Sequence, residues 1–134
     1  MAVGYKNLHT KSFTAASAMS AASAQFCVVK LVATGVAPCD SNTDVPLGVL
    51  QNSPALGEPA LVALSGETKL RVGAADIARG ARVAADSTGR AIAVVAGTST
   101  GFYPIGTVLS IDAADNDGAL VSAVVDCTNT HRNL

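Results

Sequence analysis

Tryptophan is absent and aromatic residues make up only 4% of the 134 residues. With Tyr5, Tyr103 and three phenylalanines as its rings, the chain is poorly supplied with the flat platforms on which sugar-reading faces are built. Charge is scarce as well, at 14% against the ~25% of an average soluble protein. Nine basic residues face ten acidic ones with no basic cluster, so the sequence carries no electrostatic footprint for nucleic acid or an anionic membrane. A chain with so little charge to keep surfaces apart is expected to hide much of its surface against partners, as an assembly component does. No run of ~18 apolar residues spans a bilayer. The Ala/Ser stretch after Lys6 and Lys11 lacks the leucine-rich core of a signal peptide, so synthesis and assembly in a reducing cytoplasm are expected.

Catalytic and ligand-binding patterns are missing too. Cys27, Cys39 and Cys127 are widely spaced, without the C-x-x-C pairs of a zinc or redox site, and read as structural thiols; a Cys27–Cys39 hairpin bridge stays open. His9 and His131 lie at opposite ends without partners at a ligand spacing. Asp112–Asp117 lacks the spacing and closing Glu of a calcium loop and reads as a polar hairpin loop. Gly97–Gly101 lacks the lysine and strand-to-helix context of a phosphate cradle, and no G-x-S-x-G elbow occurs. The reading is therefore of a non-enzyme, with no catalytic residue, no cofactor and no metal.

What is present is strand and turn. Runs suited to a pleated sheet occur at Gln25–Ala33, Val45–Gln51, Ala60–Leu64, Thr68–Val72, Ala81–Ala84, Arg90–Val95, Gly106–Ile111 and Leu120–Val125, with turn residues between nearly all of them. In Thr68–Val72, Lys69 and Arg71 alternate with Leu70 and Val72, so one face is charged and the other apolar; Ser65-Gly66 is read as the tight turn before it. No helical segment is long enough for a βαβ crossover. The expectation is an all-β fold, a compact small β-barrel or β-sandwich of about eight short strands with an extended N-terminal arm. The division is 1–24 for the arm and 25–134 for the domain, because residues 1–24 are small, Ser/Thr/Ala-rich and bring little apolar area to bury. A hairpin is also echoed: Pro46-Leu47-Gly48-Val49-Leu50, Gly57, Ala60-Leu61-Val62 matches Pro104-Ile105-Gly106-Thr107-Val108-Leu109, Gly118, Ala119-Leu120-Val121. The glycine in each strand marks a bulge or a close backbone approach, and the doubling suits a pseudo-symmetric barrel or sandwich.

The order PLGVLQN, Gly57-Glu58, an apolar strand, Ser65-Gly66 and TKLRVG resembles the small capsid decoration, or cement, proteins of tailed bacteriophages. AQFCVVKLVATGVAPC before it is similar to that family's strand-turn-strand opening, and IARGARVAADSTG after it to the family's Gly-led strand and Asp-x-x-Gly turn. The likeness runs from about Ala24 to Asp126. It implies a structural virion protein on the outer capsid surface, partnered by the major capsid protein and self-assembled as a trimer, with a dimer as the alternative. The arm's rings and cations, Tyr5, Lys6, His9, Lys11 and Phe13, become the capsid-contact candidates, the arm acting as a clamp on neighbouring subunits; its placement as the first strand of the protein's own barrel is the competing expectation. A carbohydrate- or host-surface-binding module of a head or tail fibre is the alternative function.

Overall fold

In the computed structural model, which describes residues 8–21, 24–73, 77–95, 101–111 and 118–129, the chain is all-β. The strands are β1 (His9–Thr14), β2 (Val28–Val32), β3 (Gly35–Pro38), β4 (Gly48–Leu50), β5 (Pro59–Arg71), β6 (Arg82–Ala85), β7 (Ala91–Ala93), β8 (Pro104–Ile111) and β9 (Leu120–Asp126). A 3-10 turn, Cys127–Asn129, follows β9. All named strands pair antiparallel in one curled sheet of order β3-β2-β4-β5-β9-β8-β6-β7, with β1 added on β5.

The long strand β5 organises the sheet. Its residues Val62 and Ala63 pair with β4 on one side and with β1 on the other. Along the edge that carries β1, β5 changes partner at Ser65, which pairs with His9 of β1 and Asp126 of β9. The expected turn at Ser65-Gly66 is therefore not a turn: the chain runs through it as one 13-residue strand. Gly66, at φ 113, takes up the local distortion where the two partners meet. The alternation beyond it is as the sequence pattern requires, with Leu70 and Val72 fully buried and Lys69 and Arg71 on the other face.

The glycine-bearing strand of the echoed hairpin recurs within a larger repeat, but the strand after it corresponds two residues further on than the sequence echo has it, Ala60-Leu61-Val62 with Val121-Ser122-Ala123. In chain order, β2-β3-β4-β5 takes the spatial order 3-2-4-5, and β6-β7-β8-β9 takes the order 7-6-8-9. Val29 pairs with Gly48 as Val83 pairs with Gly106. A Cβ on Gly48 would run into the carbonyl oxygen of Ala63, and one on Gly106 into that of Val124, so both glycines mark close approaches of backbone to backbone. Each half also closes on itself through a parallel bridge, Ala15 to Val36 in the first and Val72 to Ala91 in the second. The hydrogen bonds around the two bridges correspond: Ala16 N–H donates to Val36 O as Gly73 N–H does to Ala91 O, both at 2.8 Å, and Ala15 N–H donates to Glu58 O as Val72 N–H does to Ala119 O, both at 2.9 Å. Thus β1 closes the first half just as the second part of β5 closes the second half.

The core follows the same division. The smaller buried cluster is Ala15, Met19, Val29, Val36, Leu50, Ala60 and Val62. Each has a counterpart by position in the larger one: Val72, Ile77, Val83, Ala91, Val108, Val121 and Ala123. The larger cluster adds Val28, Cys39, Val49, Leu70, Ile105 and Cys127 among others.

Candidate assembly surface

Of the five expected contact residues, Tyr5 and Lys6 lie outside the described residues, as do His131 and Asp112–Asp117. His9, Lys11 and Phe13 are all on β1. The extended arm is thus extended, but its described part lies along the protein's own β5, and Ala15 and Met19 behind it are 1% exposed. The expectation of a clamp outside the core undervalued those two side chains. Ala15 and Met19 bury fully because Met19 N–H donates to Pro54 O, Gly57 N–H donates to Ala15 O, and Thr14 crosses directly over Gly35, where no side chain would fit.

β1 is nevertheless the most open strand. Five of its six residues are exposed and Phe13 is half-buried against the smaller cluster. Their backbone phase is fixed by the Ala15 bonds to Glu58 and Gly57. Antiparallel partners alternate between bonded and non-bonded pairs, so Lys11 and Phe13 bond to β5 while Thr10 and Ser12 turn their N–H and C=O outward. Among the described residues, β1 pairs with β5 alone.

The molecule's other polar features are structural. Lys30 Nζ donates to Asp40 at 2.6 Å and to Asp44 at 3.0 Å. Asp44 also accepts the backbone N–H groups of Asp40 and Ser41. Desolvation alone would raise the Asp44 carboxyl, but the hydrogen bonds from Lys30 and Asp40 outweigh it and hold it below the usual range; Lys30 is in turn raised by its two acceptors. All three cysteines are buried free thiols, so the Cys27–Cys39 bridge is not formed. Burial pushes Cys39 and Cys127 up to about 12 and raises Cys27, the direction of inert thiols and not of nucleophiles. Cys27 instead lines an open cleft with Ala24, Pro38, Thr88 and Arg90. Among the described residues no three His, Cys, Asp or Glu side chains converge as a metal site.

No family model matches this chain, and no curated protein matches it in sequence. Its fold is similar to that of the head fiber gp8.5 N base of bacteriophage phi29, at a TM-score of 0.62 and 13% identity, covering 90% of this chain and 95% of that one. At that identity the likeness is one of fold, and it extends over nearly the whole of both chains.

Apolar side chains stand out from the outer surface of this fold: Leu31, Val45 and Leu56 are 59%, 61% and 67% exposed, with Val95, Leu109 and Val124 beside them in kind. The low charge seen in the composition is thus expressed as exposed aliphatic surface. No short motif in the sequence announces these positions: Val45, Leu56 and Val95 lie in loops, whereas Leu31, Leu109 and Val124 lie within β2, β8 and β9.

Proposed function

We propose that this protein is a structural component of a tailed-phage head: a capsid decoration, or cement, protein that binds the outer surface of the shell and stabilises contacts between major capsid proteins. The observation that carries the reading is the fold likeness to the base of a phage head fiber over 90% of the chain. The order of the PLGVLQN, Gly-Glu and TKLRVG elements supports it from the sequence side. The surface agrees in character, since exposed Leu31, Val45 and Leu56 and sparse charge suit a protein covered by partners. Cement and head-fibre proteins share that demand, because both must hold to a shell. A trimer of this chain on the shell is the favoured assembly and a dimer the alternative, joined through apolar surface and therefore little affected by salt.

The second reading is a fibre module that recognises a host surface, and the same likeness to a head-fiber base favours it. Scarce aromatics argue against a sugar-binding version. Electron microscopy of the parent virion separates the two. Density for this fold at regular lattice positions over the capsid supports cement, density only at the root of projecting fibres supports the second reading, and absence from the head overturns both.

A further inference from the structure

We infer that the outer edge of β1 is a docking site for an extended, carboxylate-bearing segment of the major capsid protein; the partner's identity rests on the assembly reading above. The inference comes from a break in the internal repeat. β1 and the second part of β5 do the same work in the two halves, and Thr14 of β1 corresponds to Arg71 of β5, each one residue before the closing bridge. On β5 that position is capped. Arg71 N–H donates to Phe26 O at 3.0 Å, Arg71 Nε donates to Gln25 O at 3.2 Å, and Lys69 Nζ lies 5.7 Å from the centre of the Phe26 ring. On β1, among the described residues, no segment takes that place. The outward N–H and C=O groups of Thr10 and Ser12 form a short window with the geometry that strand addition requires.

Charge selects the occupant. β1 carries Lys11 and His9, both exposed, and no acidic residue. A second copy pairing antiparallel with both outward residues engaged, Thr10 opposite Ser12, would bring Lys11 against Lys11, and like charges directly opposite in a ladder are unfavourable. A strand with a carboxylate opposite Lys11 meets the reverse situation. The edge thus repels its own kind and admits an acidic partner, which is how a sheet edge stays monomer-safe yet remains available.

Two variants and one exchange measurement test this on the full chain. Ser12→Pro deletes an outward N–H at an edge position where proline is tolerated, and Lys11→Glu reverses the selecting charge. Both are expected to keep the wild-type melting temperature within a few degrees and to lose at least roughly tenfold in co-sedimentation with undecorated phage shells. If both variants bind shells as the unaltered protein does, the docking site is wrong while the assembly reading stands. If the unaltered protein fails to bind shells, the assembly reading falls and takes the named partner with it. Should Ser12→Pro not fold, Lys11→Glu decides alone. Amide hydrogen exchange of the free protein reads the edge independently of any shell: Thr10 and Ser12 are expected to exchange fast and Lys11 and Phe13 slowly. Protection of all four, or a dimer that Ser12→Pro dissolves, overturns the inference.

Discussion

The two halves of the molecule reach the same arrangement by different means. The second half is closed by the C-terminal part of β5, a strand held at both ends by the chain and capped along its edge by Gln25 and Phe26. The first is closed by β1, which follows no earlier described strand and has five of its six residues exposed. The hydrogen bonds at the two bridges match in length, so closure has the same geometry in both halves. What differs is what lies on the far side of the closing strand. The larger cluster also gathers side chains from both halves, Val28, Cys39 and Val49 from the first among them, whereas the smaller one is built from the first half alone. The first half is therefore the more fragile, because stability is distributed according to local burial and not shared evenly.

Removing residues 1–24 should have the largest effect. It strips β5 of its partner over residues 59–65 and takes Ala15 and Met19 from the smaller cluster. Loss of one buried methionine side chain already costs about 2–5 kcal/mol, a large part of the ~5–15 kcal/mol available to a small domain. The expected outcome is loss of the cooperative transition in thermal unfolding, with exchange protection lost in β2–β4 before β6–β9. An unchanged melting temperature would restore the expectation of a clamp independent of the core.

Alkali should strike the larger cluster first, the one to which both halves contribute. Cys39 and Cys127 both belong to the larger cluster, none of the smaller cluster's members is a cysteine, and burial raises both thiols to about 12. A raised folded-state value gives stability that is complete below the unfolded thiol value of ~8.5 and lost as pH rises towards the folded one. Each thiol then removes about 1.4 kcal/mol per pH unit within that window. Denaturant midpoints measured between pH 8 and 10 should fall steeply, and the Cys39→Ala, Cys127→Ala double variant should flatten the slope although it starts less stable.

The two interior glycines test the repeat directly. Gly48→Ala and Gly106→Ala each push a methyl group into a carbonyl oxygen, of Ala63 and Val124 respectively. Overpacking of this kind costs about 1–3 kcal/mol, and chemical denaturation should return matched losses. A loss at Gly106 with none at Gly48 would mean that the hairpins differ in packing despite their shared register.

These glycines were also the clearest signal in the sequence. PLGVL and PIGTVL showed the doubled hairpin because a glycine that backbone crowding demands leaves a mark that few substitutions can erase. The rest of the repeat was hidden, since Val36 and Ala91, or Met19 and Ile77, share burial but not identity. The strand character of β2, β4, β6, β8 and β9 was legible from β-branched runs between turns. The β3 hairpin was visible only through the cement-family resemblance, because Gly35 and Pro38 weaken it as a strand pattern. That β1 pairs along β5 was not legible, since HTKSFT offers one large apolar side chain. Its place depends on the unpaired edge of β5, a tertiary demand that no local pattern carries. The exposed aliphatics of the candidate surface were illegible for a related reason: one leucine in a loop reads the same whether covered or bare.

The smallest predicted effect isolates backbone from packing at equivalent points of the two halves. Phe26 N–H donates to Leu50 O and Leu50 N–H to Cys27 O, as Gly80 N–H donates to Val108 O and Val108 N–H to Ala81 O. Both residues have positive φ, 68 at Phe26 and 85 at Gly80. A Cβ at Gly80 meets nothing within 4 Å, so Gly80→Ala bears only the conformational cost of the left-handed region, about 1 kcal/mol. Phe26 already bears that cost, and its ring sits against Lys69 and the larger cluster. Phe26→Gly thus removes the strain, worth about 1 kcal/mol, together with a cation–π contact worth about 0.5–1 kcal/mol at an exposed site and some apolar burial. The expected outcome in denaturant titration is a small net loss at Phe26, similar in size to that at Gly80 but opposite in its parts: the Phe26→Gly loss should shrink by the cation–π share, about 0.5–1 kcal/mol, in a Lys69→Ala background, while Gly80→Ala is indifferent to Lys69. A Phe26→Gly variant more stable than the parent would show that the ring's contacts do not offset its strain, and that the cap over β5 is held by the backbone of Gln25 and Phe26 alone.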